Sequence, residues 1–157
     1  MPISTTPKIW MNGALVDWDK AQIHVLTHTL HYGTGFFEGI RAYETPKGTA
    51  VFRLTDHITR FFNSARILGM PMPYTHKEIV DAVKQTVAST GLASCYIRPL
   101  AYYGYGEMGL NTLPCSVDVA IACWPERHHR LICAPLMCAH LNLFRWPIWR
   151  NSRSKLF

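Results

Sequence analysis

Apolar residues recur at helical spacing in two stretches of the chain. We expect the first helix to start from an N-cap at Thr55 and to end before a glycine in the C′ position, Gly69. The second is expected to start with a capping box formed by Thr75 and Glu78 and to end at Gly91. The apolar stripes are Ile58, Phe61 or Phe62, Ala65 and Leu68 in the first helix and Ile79, Val80, Val83 and Val87 in the second.

The remaining segments predict strands. Asn12-Gly13 has the positive-φ preference of a two-residue type I′ turn and would close a hairpin over residues 8–18. Strands and helices are segregated rather than alternating, so the predicted fold class is α+β, an antiparallel sheet with two helices packed on it. Further strands are expected in the second half of 31–43 and at 50–53, 95–103 and 117–124.

Composition and charge suggest where the domain ends. Of the 157 residues, 48% are hydrophobic and 17% are charged, which is enough for one compact domain. Residues 1–125 hold ten Lys or Arg against nine Asp or Glu, whereas residues 126–157 hold six against one, and together they give the net charge of +6. We therefore predict a domain at 1–125 and an anomalous basic tail at 126–157, produced by a reading-frame shift near Pro125.

Several classes of protein are disfavoured. No run of about 18 apolar residues occurs, so no membrane span is expected. The first residues show no basic stretch followed by an apolar one, so no secretory signal is expected. Five cysteines without regular spacing are typical of reduced thiols in a cytoplasmic protein.

Two groups of histidines and cysteines resemble metal ligands only superficially. His24, His28 and His31 would lie near one face of a helix, but Tyr32-Gly33 argues against a helix that continues there. The second group, within 128–140, lacks the paired spacings of a zinc site. We predict no metal site.

Two arginines are candidates for binding anions. Arg60 lies in the first predicted helix, where its guanidinium would hold a phosphate bidentately; a solvated surface arginine is the alternative. Tyr96 and Arg98 would share one face of a strand and bind a carboxylate. The alternative is an edge strand with its polar face in water, which Pro99 favours.

A third candidate group precedes the first helix. Phe37, Arg41 and Tyr43 would face one way from a single strand, and Tyr32 lies just before it. Glycines at 33, 35 and 39 would let a neighbour or a ligand approach the backbone closely.

The order of the motifs is more specific than any one of them. In sequence order the motifs are Trp10-Met-Asn-Gly13, His31-Tyr-Gly-Thr34, Phe37-Glu-Gly-Ile-Arg-Ala-Tyr43, Phe52-Arg-Leu54, His57-x-x-Arg60, Ser64-Ala65, Tyr96-Ile-Arg-Pro-Leu100 and Met108-Gly-Leu110. In this combination they resemble the small domain of branched-chain aminotransferases, the pyridoxal-phosphate enzymes of fold type IV, from about Lys8 to Pro125.

The resemblance implies roles for particular residues. Arg60 is similar to the arginine that binds the phosphate of pyridoxal 5′-phosphate. The substrates implied are leucine, isoleucine or valine with 2-oxoglutarate, and the full-length enzyme is expected to be a homo-oligomer. The positions that match the surroundings of the substrate are Tyr32, Phe37, Arg41, Tyr96 and Arg98.

The family also requires a lysine that bonds to the cofactor aldehyde as a Schiff base. None of the six lysines lies in the expected Ala-Lys-x-x-Gly-Asn-Tyr setting, which belongs to the larger second domain of the family. We therefore expect a fragment without a catalytic residue of its own, inactive as a transaminase when alone. The lysines are Lys8, Lys20, Lys47, Lys77, Lys84 and Lys155.

Two other functions stay open. The first is a non-catalytic binding or dimerisation module from a truncated gene. The second is nucleic-acid binding through the basic tail, which the balanced charge of residues 1–125 disfavours. The tail residues concerned are Arg127, Arg130, Arg145, Trp146, Trp149, Arg150 and Arg153.

Overall fold

The computed structural model of the protein describes residues 3–125. A short 3₁₀ turn at Trp18–Lys20 connects the first hairpin to the first α-helix. The elements of this part of the chain are, in order, β1 (Lys8–Met11), β2 (Ala14–Asp17), α1 (His28–Tyr32), β3 (Gly35–Phe37), β4 (Ile40–Thr45), β5 (Gly48–Val51), α2 (Leu54–Ile67), α3 (His76–Thr90), β6 (Cys95–Tyr103) and β7 (Val117–Trp124).

The strands form one antiparallel sheet in the order β2-β1-β7-β6-β4-β5, with β3 also paired to β6. This confirms the predicted α+β class. The structure contains the two expected long helices and, in addition, the five-residue helix α1, which the sequence pattern did not predict. The alternative of β6 as an edge strand is wrong, because β6 lies between β7 on one side and β3 and β4 on the other.

Pro99 lies in the middle of β6 and interrupts its pairing on one side. Phe37 of β3 is opposite Leu100, and Ile40 of β4 is opposite Ile97, so the two strands continue one register. Between them, the Glu38 amide donates to the Pro99 carbonyl at 2.9 Å. Proline has no N–H to return the bond, and the ladder therefore breaks at the Glu38-Gly39 dipeptide.

Helices α2 and α3 cover one face of the sheet. Their contacts reach β1, β3, β6 and β7, and the side chains that point toward them alternate along each strand. Burial follows this alternation, so the hydrophobic core lies between the sheet and the two long helices. Residues of that core with no exposed surface are Ile40, Ile58, Phe61, Ile79, Val83, Cys95, Ile97, Ala101, Val119, Ile121 and Cys123.

The predicted ends of α3 are confirmed. Thr75 accepts a hydrogen bond from the backbone of Glu78, and the Glu78 carboxylate accepts one from the backbone of Thr75 at 2.7 Å. Gly91 ends the helix with a left-handed φ of 65°. A residue with a Cβ is strained in that conformation, so glycine fits the helix end.

The predicted start of α2 is wrong. The helix begins at Leu54, one residue before the expected N-cap Thr55, and its N-cap is Arg53 with φ 45°. Leu54 is buried, so its packing draws it into the first turn. The Arg53 side chain bonds to Asp56 at 2.7 Å across that turn. At the other end Gly69 has the expected left-handed conformation, with φ 63°.

The first hairpin is confirmed, and its turn is tied to the rest of the sheet. Asn12 has φ 48° and Gly13 has φ 97°, as the two-residue turn requires. The Asn12 amide group donates to Asp118 at 3.0 Å and accepts from the Val119 backbone at 2.8 Å.

Within the described part of the chain, every helix is too short or too polar to cross a bilayer.

Candidate functional site

The sheet face turned away from α2 and α3 carries most of the predicted site residues. Along β6 this face bears Tyr96 and Arg98. Arg41 on β4 and Trp124 on β7 are both directly opposite Tyr96, so three adjacent strands contribute. The fold therefore brings distant parts of the sequence to one surface.

Arg98 is at the centre of an aromatic cluster. Its guanidinium carbon lies 4.1 Å from the ring centroid of Phe37, 5.3 Å from that of Tyr96 and 5.9 Å from that of Trp124. Its Nη2 donates to the Tyr96 hydroxyl at 2.9 Å. We call Phe37, Tyr96, Arg98 and Trp124 the Arg98 cluster. Such contacts hold the guanidinium in one orientation.

Trp124 is the member of this cluster that the sequence did not single out. Its ring centroid lies 4.9 Å from that of Tyr96, with a tilt of 34° between the rings. The sequence predicts a strand at 117–124, but only the register between β6 and β7 shows which side chain Trp124 meets.

Gly39 makes room for the Tyr96 hydroxyl. A Cβ at position 39 would overlap the phenol oxygen, whereas hydrogen leaves it undisturbed. The glycine pattern of the sequence predicts a close approach to the backbone here, and the group that approaches is a tyrosine of the site.

Two buried polar atoms near the cluster have no hydrogen-bond partner among the described residues, Arg98 Nε and the Tyr102 hydroxyl. A buried donor without an acceptor costs roughly 1–3 kcal/mol. Burial raises the pKa of Tyr102 to about 12, and the nearby negative charge of Asp118 adds to the effect. Tyr102 is thus a neutral hydroxyl, and this part of the sheet has hydrogen-bonding capacity that the described residues do not use.

Arg60 lies on α2 and pairs with a buried carboxylate. Its Nε donates to Oε1 of Glu38 at 2.6 Å, and its Nη2 donates to Oε2 at 2.5 Å. His57 Nδ1 lies 3.1 Å from the same Oε2. Only 4% of the Glu38 side chain is exposed, against 65% for Arg60. We call Glu38, His57 and Arg60 the Arg60 cluster.

The electrostatics of the Arg60 cluster favour its charged state. Burial by itself raises the pKa of Glu38, but hydrogen bonds and attraction from Arg60 and His57 outweigh it and lower that pKa below the ordinary value. The hydrogen bond to Glu38 raises the pKa of Arg60 despite partial burial. Glu38 is therefore a carboxylate at neutral pH and Arg60 a guanidinium. From the sequence, Glu38 stands out only as part of a motif, because no local pattern shows its burial.

The two clusters are linked by the Glu38-Gly39 dipeptide. Successive residues of a strand point to opposite faces, so Glu38 is directed toward α2 and Gly39 faces the Arg98 cluster. The structure therefore brings Phe37, Tyr96 and Arg98 together. Arg60 belongs to a separate cluster, which is joined to the sheet through Glu38, the residue next to Gly39.

Two predicted residues lie outside both clusters. Arg41 is exposed, with its position on β4 directly opposite Tyr96. Tyr32 ends α1, is 41% exposed, and packs its ring on His28 at 4.5 Å between centroids. Its ring contacts among the described residues are with His28 and His31, not with the Arg98 cluster.

His28 is one of the histidines that resemble metal ligands in the sequence, and in the structure it is buried and hydrogen-bonded through both ring nitrogens. It is 1% exposed, with Nε2 2.8 Å from the Gly109 carbonyl and Nδ1 2.8 Å from the Thr34 hydroxyl. A carbonyl only accepts, so Nε2 carries a proton. His28 thus ties α1 to the loop that contains the Met108-Gly-Leu110 motif. The second group of possible ligands, at 128–140, lies outside the described residues.

Comparison with known proteins identifies the family of the chain. The family model described as amino-transferase class IV matches residues 35–147. The chain belongs to the class IV aminotransferase family. The match extends past residue 125, so the predicted boundary there stays a prediction.

Two of the relatives that this chain matches are branched-chain-amino-acid aminotransferases. The enzyme of Pseudomonas aeruginosa is 53% identical over 116 residues, which are 74% of this chain and 38% of that protein. The enzyme of Escherichia coli K12 is 43% identical over 118 residues, which are 74% of this chain and 38% of that protein. This chain therefore spans less than half the length of the relatives that it matches.

Solved structures show the same fold. A crystal structure of the E. coli branched-chain aminotransferase has a TM-score of 0.75 at 41% identity, covering 78% of this chain and 40% of that one. The T.th. enzyme complexed with N-(5′-phosphopyridoxyl)-L-glutamate has a TM-score of 0.75 at 50% identity, with coverage of 77% and 40%. Another structure of the T.th. enzyme contains pyridoxamine 5′-phosphate. The cofactor chemistry of this family is thus that of pyridoxal phosphate.

Proposed function

We propose that this chain is the small-domain part of a pyridoxal-phosphate-dependent branched-chain aminotransferase, which transfers the amino group of leucine, isoleucine or valine to 2-oxoglutarate. The observation that carries the proposal is the Arg98 cluster, a guanidinium held by a tyrosine hydroxyl and packed against aromatic rings. It lies on the sheet face that the long helices leave uncovered.

The chemistry of the Arg98 cluster fits an aliphatic amino acid. A fixed guanidinium presents parallel donors to a carboxylate. Phe37 and Trp124 supply apolar surface beside it, which suits a branched hydrocarbon side chain. We propose that Arg98 orients the substrate carboxylate, with Tyr96 as its anchor, and that Tyr32 and Arg41 complete the surroundings of the substrate.

The Arg60 cluster fits the phosphate of the cofactor. Arg60 is 65% exposed although one edge of its guanidinium is held by Glu38, so its other donors are accessible to an anion. When bound, pyridoxal phosphate supplies the electron sink on which amino-group transfer depends. Arg60 would bind and orient its phosphate. None of the six lysines of the sequence lies in the motif expected of the lysine that bonds to the cofactor.

The same proposal includes the domain limits, the cellular compartment and the oligomeric state. Residues 1–125 would form the small domain and 126–157 a basic tail, the enzyme would be cytoplasmic, and the full-length protein would be a homo-oligomer. Cys95, Cys115 and Cys123 are buried cysteines that form no disulfide, which supports a reducing compartment.

A chimera tests the proposal. Residues 8–125 of this chain would replace the matching segment of the P. aeruginosa relative, which supplies the rest of the enzyme. We expect the purified chimera to transfer the amino group of leucine to 2-oxoglutarate. The 157-residue chain alone, supplied with pyridoxal phosphate, should show no such activity.

Substitutions in the chimera then test the residues. Arg98→Lys and Arg60→Lys should each lower kcat/KM for leucine by about tenfold or more, because each loses a planar fork of donors. Arg66→Lys, at an exposed position on α2, is the matched control and should leave the rate unchanged. A folded chimera that accepts other amino acids but none of the branched-chain ones would contradict the substrate assignment.

A further inference from the structure

Glu38 has a position that the proposed function leaves unexplained. Its carboxylate is almost fully buried, yet it bonds through both oxygens to an arginine whose side chain is mostly exposed. An ion pair between two surface groups would contribute little and leave both side chains mobile. Here one partner is fixed inside the domain by the sheet, because Glu38 N–H is bonded to the Pro99 carbonyl. Glu38 is therefore a rigid anchor for Arg60.

The geometry of the pair determines which donors of Arg60 remain available. A guanidinium carries five N–H groups, one on Nε and two on each terminal nitrogen. Glu38 takes the Nε proton and one of the Nη2 protons. Three donors remain, and they lie on Nη1 and on the outer side of Nη2. The edge shared by these two nitrogens matches two oxygens of a phosphate.

We infer that Glu38 is a positioning residue, which fixes the rotation of the Arg60 guanidinium so that its terminal edge is presented to a phosphate group. The inference rests on the proposed function of Arg60 and deepens it, since it assigns a role to a residue that does not itself touch the ligand. His57 bonds to Oε2 of Glu38 and supports the carboxylate from a second direction.

The negative charge of Glu38 also repels a bound phosphate, and this repulsion has to be separated from the positioning of Arg60. A carboxylate near a bound phosphate repels it, so removal of its charge would strengthen binding if repulsion were dominant. Positioning predicts the reverse. Glu38→Gln removes the charge and one acceptor, whereas Glu38→Asp keeps the charge and shortens the reach by one methylene. Weaker binding by both variants indicates positioning; stronger binding by Glu38→Gln with no change in Glu38→Asp indicates repulsion.

The experiment uses the full 157-residue chain with pyridoxamine 5′-phosphate as the probe. This compound has no aldehyde and does not condense with the lysines of the chain. Pyridoxamine, which lacks the phosphate, is the control ligand. Dissociation constants would be measured by fluorescence for the wild type and for Glu38→Gln, Glu38→Asp and Arg60→Lys. Asp56→Asn, which breaks an exposed arginine pair at the start of the same helix, is the control variant.

A second measurement reports the pair without any ligand. The Nε–H group of Arg60 would be followed by ¹⁵N–¹H NMR. In the wild type we expect a sharp signal that exchanges slowly with solvent, because the proton is held by the Glu38 carboxylate. The signal should broaden in both Glu38 variants and persist in Asp56→Asn.

The expected results test the phosphate-binding role of Arg60 separately from the positioning role of Glu38. The wild type should bind pyridoxamine 5′-phosphate more tightly than pyridoxamine. Arg60→Lys should weaken that binding by about tenfold and each Glu38 variant by about fivefold, as for the loss or misalignment of a charge-assisted hydrogen bond. Equal binding of the two ligands by the wild type would overturn the phosphate role of Arg60 and the inference with it. Weakening by Arg60→Lys alone would overturn only the inference. If Glu38→Gln lowers the folded fraction, Glu38→Asp decides.

Discussion

Gly39 lies directly against the hydroxyl of Tyr96, so closely that a methyl group in place of its hydrogen would overlap the phenol oxygen. The same hydroxyl accepts the hydrogen bond of Arg98 Nη2. The size of residue 39 thus controls the position of the group that anchors the guanidinium.

Replacement of Gly39 by alanine should therefore disturb Arg98. We expect Gly39→Ala in the chimera to raise KM for leucine by about tenfold, because Tyr96 has to rotate away and its bond to Arg98 is lost. Gly106→Ala is the control, since its added Cβ would meet open space. The measurement is steady-state kinetics with varied leucine. An unchanged KM in Gly39→Ala would show that Tyr96 does not hold Arg98 for substrate binding.

Phe37 should matter for binding more than for stability. Phe37→Leu removes the aromatic face 4.1 Å from the Arg98 guanidinium, a contact worth about 0.5–1 kcal/mol at an exposed position. Phe52 is equally exposed, 57% against 58%, and provides the matched variant Phe52→Leu. Urea unfolding should give nearly equal stabilities for the two variants. Only Phe37→Leu should raise KM in the chimera, and a similar rise in both would rule out a specific role of the Arg98 contact.

The two threonines near the helix starts offer a test of the fold itself. Thr75→Ala should lower the free energy of unfolding by about 1 kcal/mol, because it removes the capping box of α3. Thr55→Ala should cost much less, since Thr55 lies inside the first turn of α2 and is not its N-cap. Urea denaturation of the 157-residue chain measures both. Equal losses would mean that Thr55 caps its helix after all.

The Arg60 cluster predicts a pH dependence of stability. The folded state lowers the pKa of Glu38 below its ordinary value of 4.5, so its ionised form stabilises the fold above that pH. This contribution is lost as the pH falls below 4.5 and through the lower pKa of the folded state. The unfolding free energy of Glu38→Gln should therefore fall less steeply with acidification than that of the wild type. Denaturant titrations between pH 7 and pH 3 check it, and parallel profiles would contradict the lowered pKa.

Features that depend on neighbouring residues in the chain could be predicted from the sequence. Asn12-Gly13 and the Thr75 capping box require only a few adjacent side chains, and the structure confirms both. Thr55 has the same local preference for an N-cap, but the burial of Leu54 moves the helix start by one residue. Local propensity is weaker than the burial of a large apolar side chain.

Features of the candidate site depend on strand pairing and could be predicted only in part. The alternation in β6 placed Tyr96 and Arg98 on one face, but their neighbours come from strands far apart in the sequence. Trp124 was therefore missed, and Pro99 suggested an edge strand although β6 is interior. Glu38 was missed as a functional residue because its burial arises from α2 packing, which no local pattern shows.

The interruption opposite Pro99 has a consequence for how this surface can change. Glu38 and Gly39 are adjacent, yet one serves the arginine of a helix and the other makes space for a tyrosine on the reverse side of the sheet. An insertion or deletion within this dipeptide would exchange the two directions and damage both clusters at once. Changes in preference for the amino-acid side chain are therefore expected to arise at Phe37 or Trp124, which belong to one cluster only.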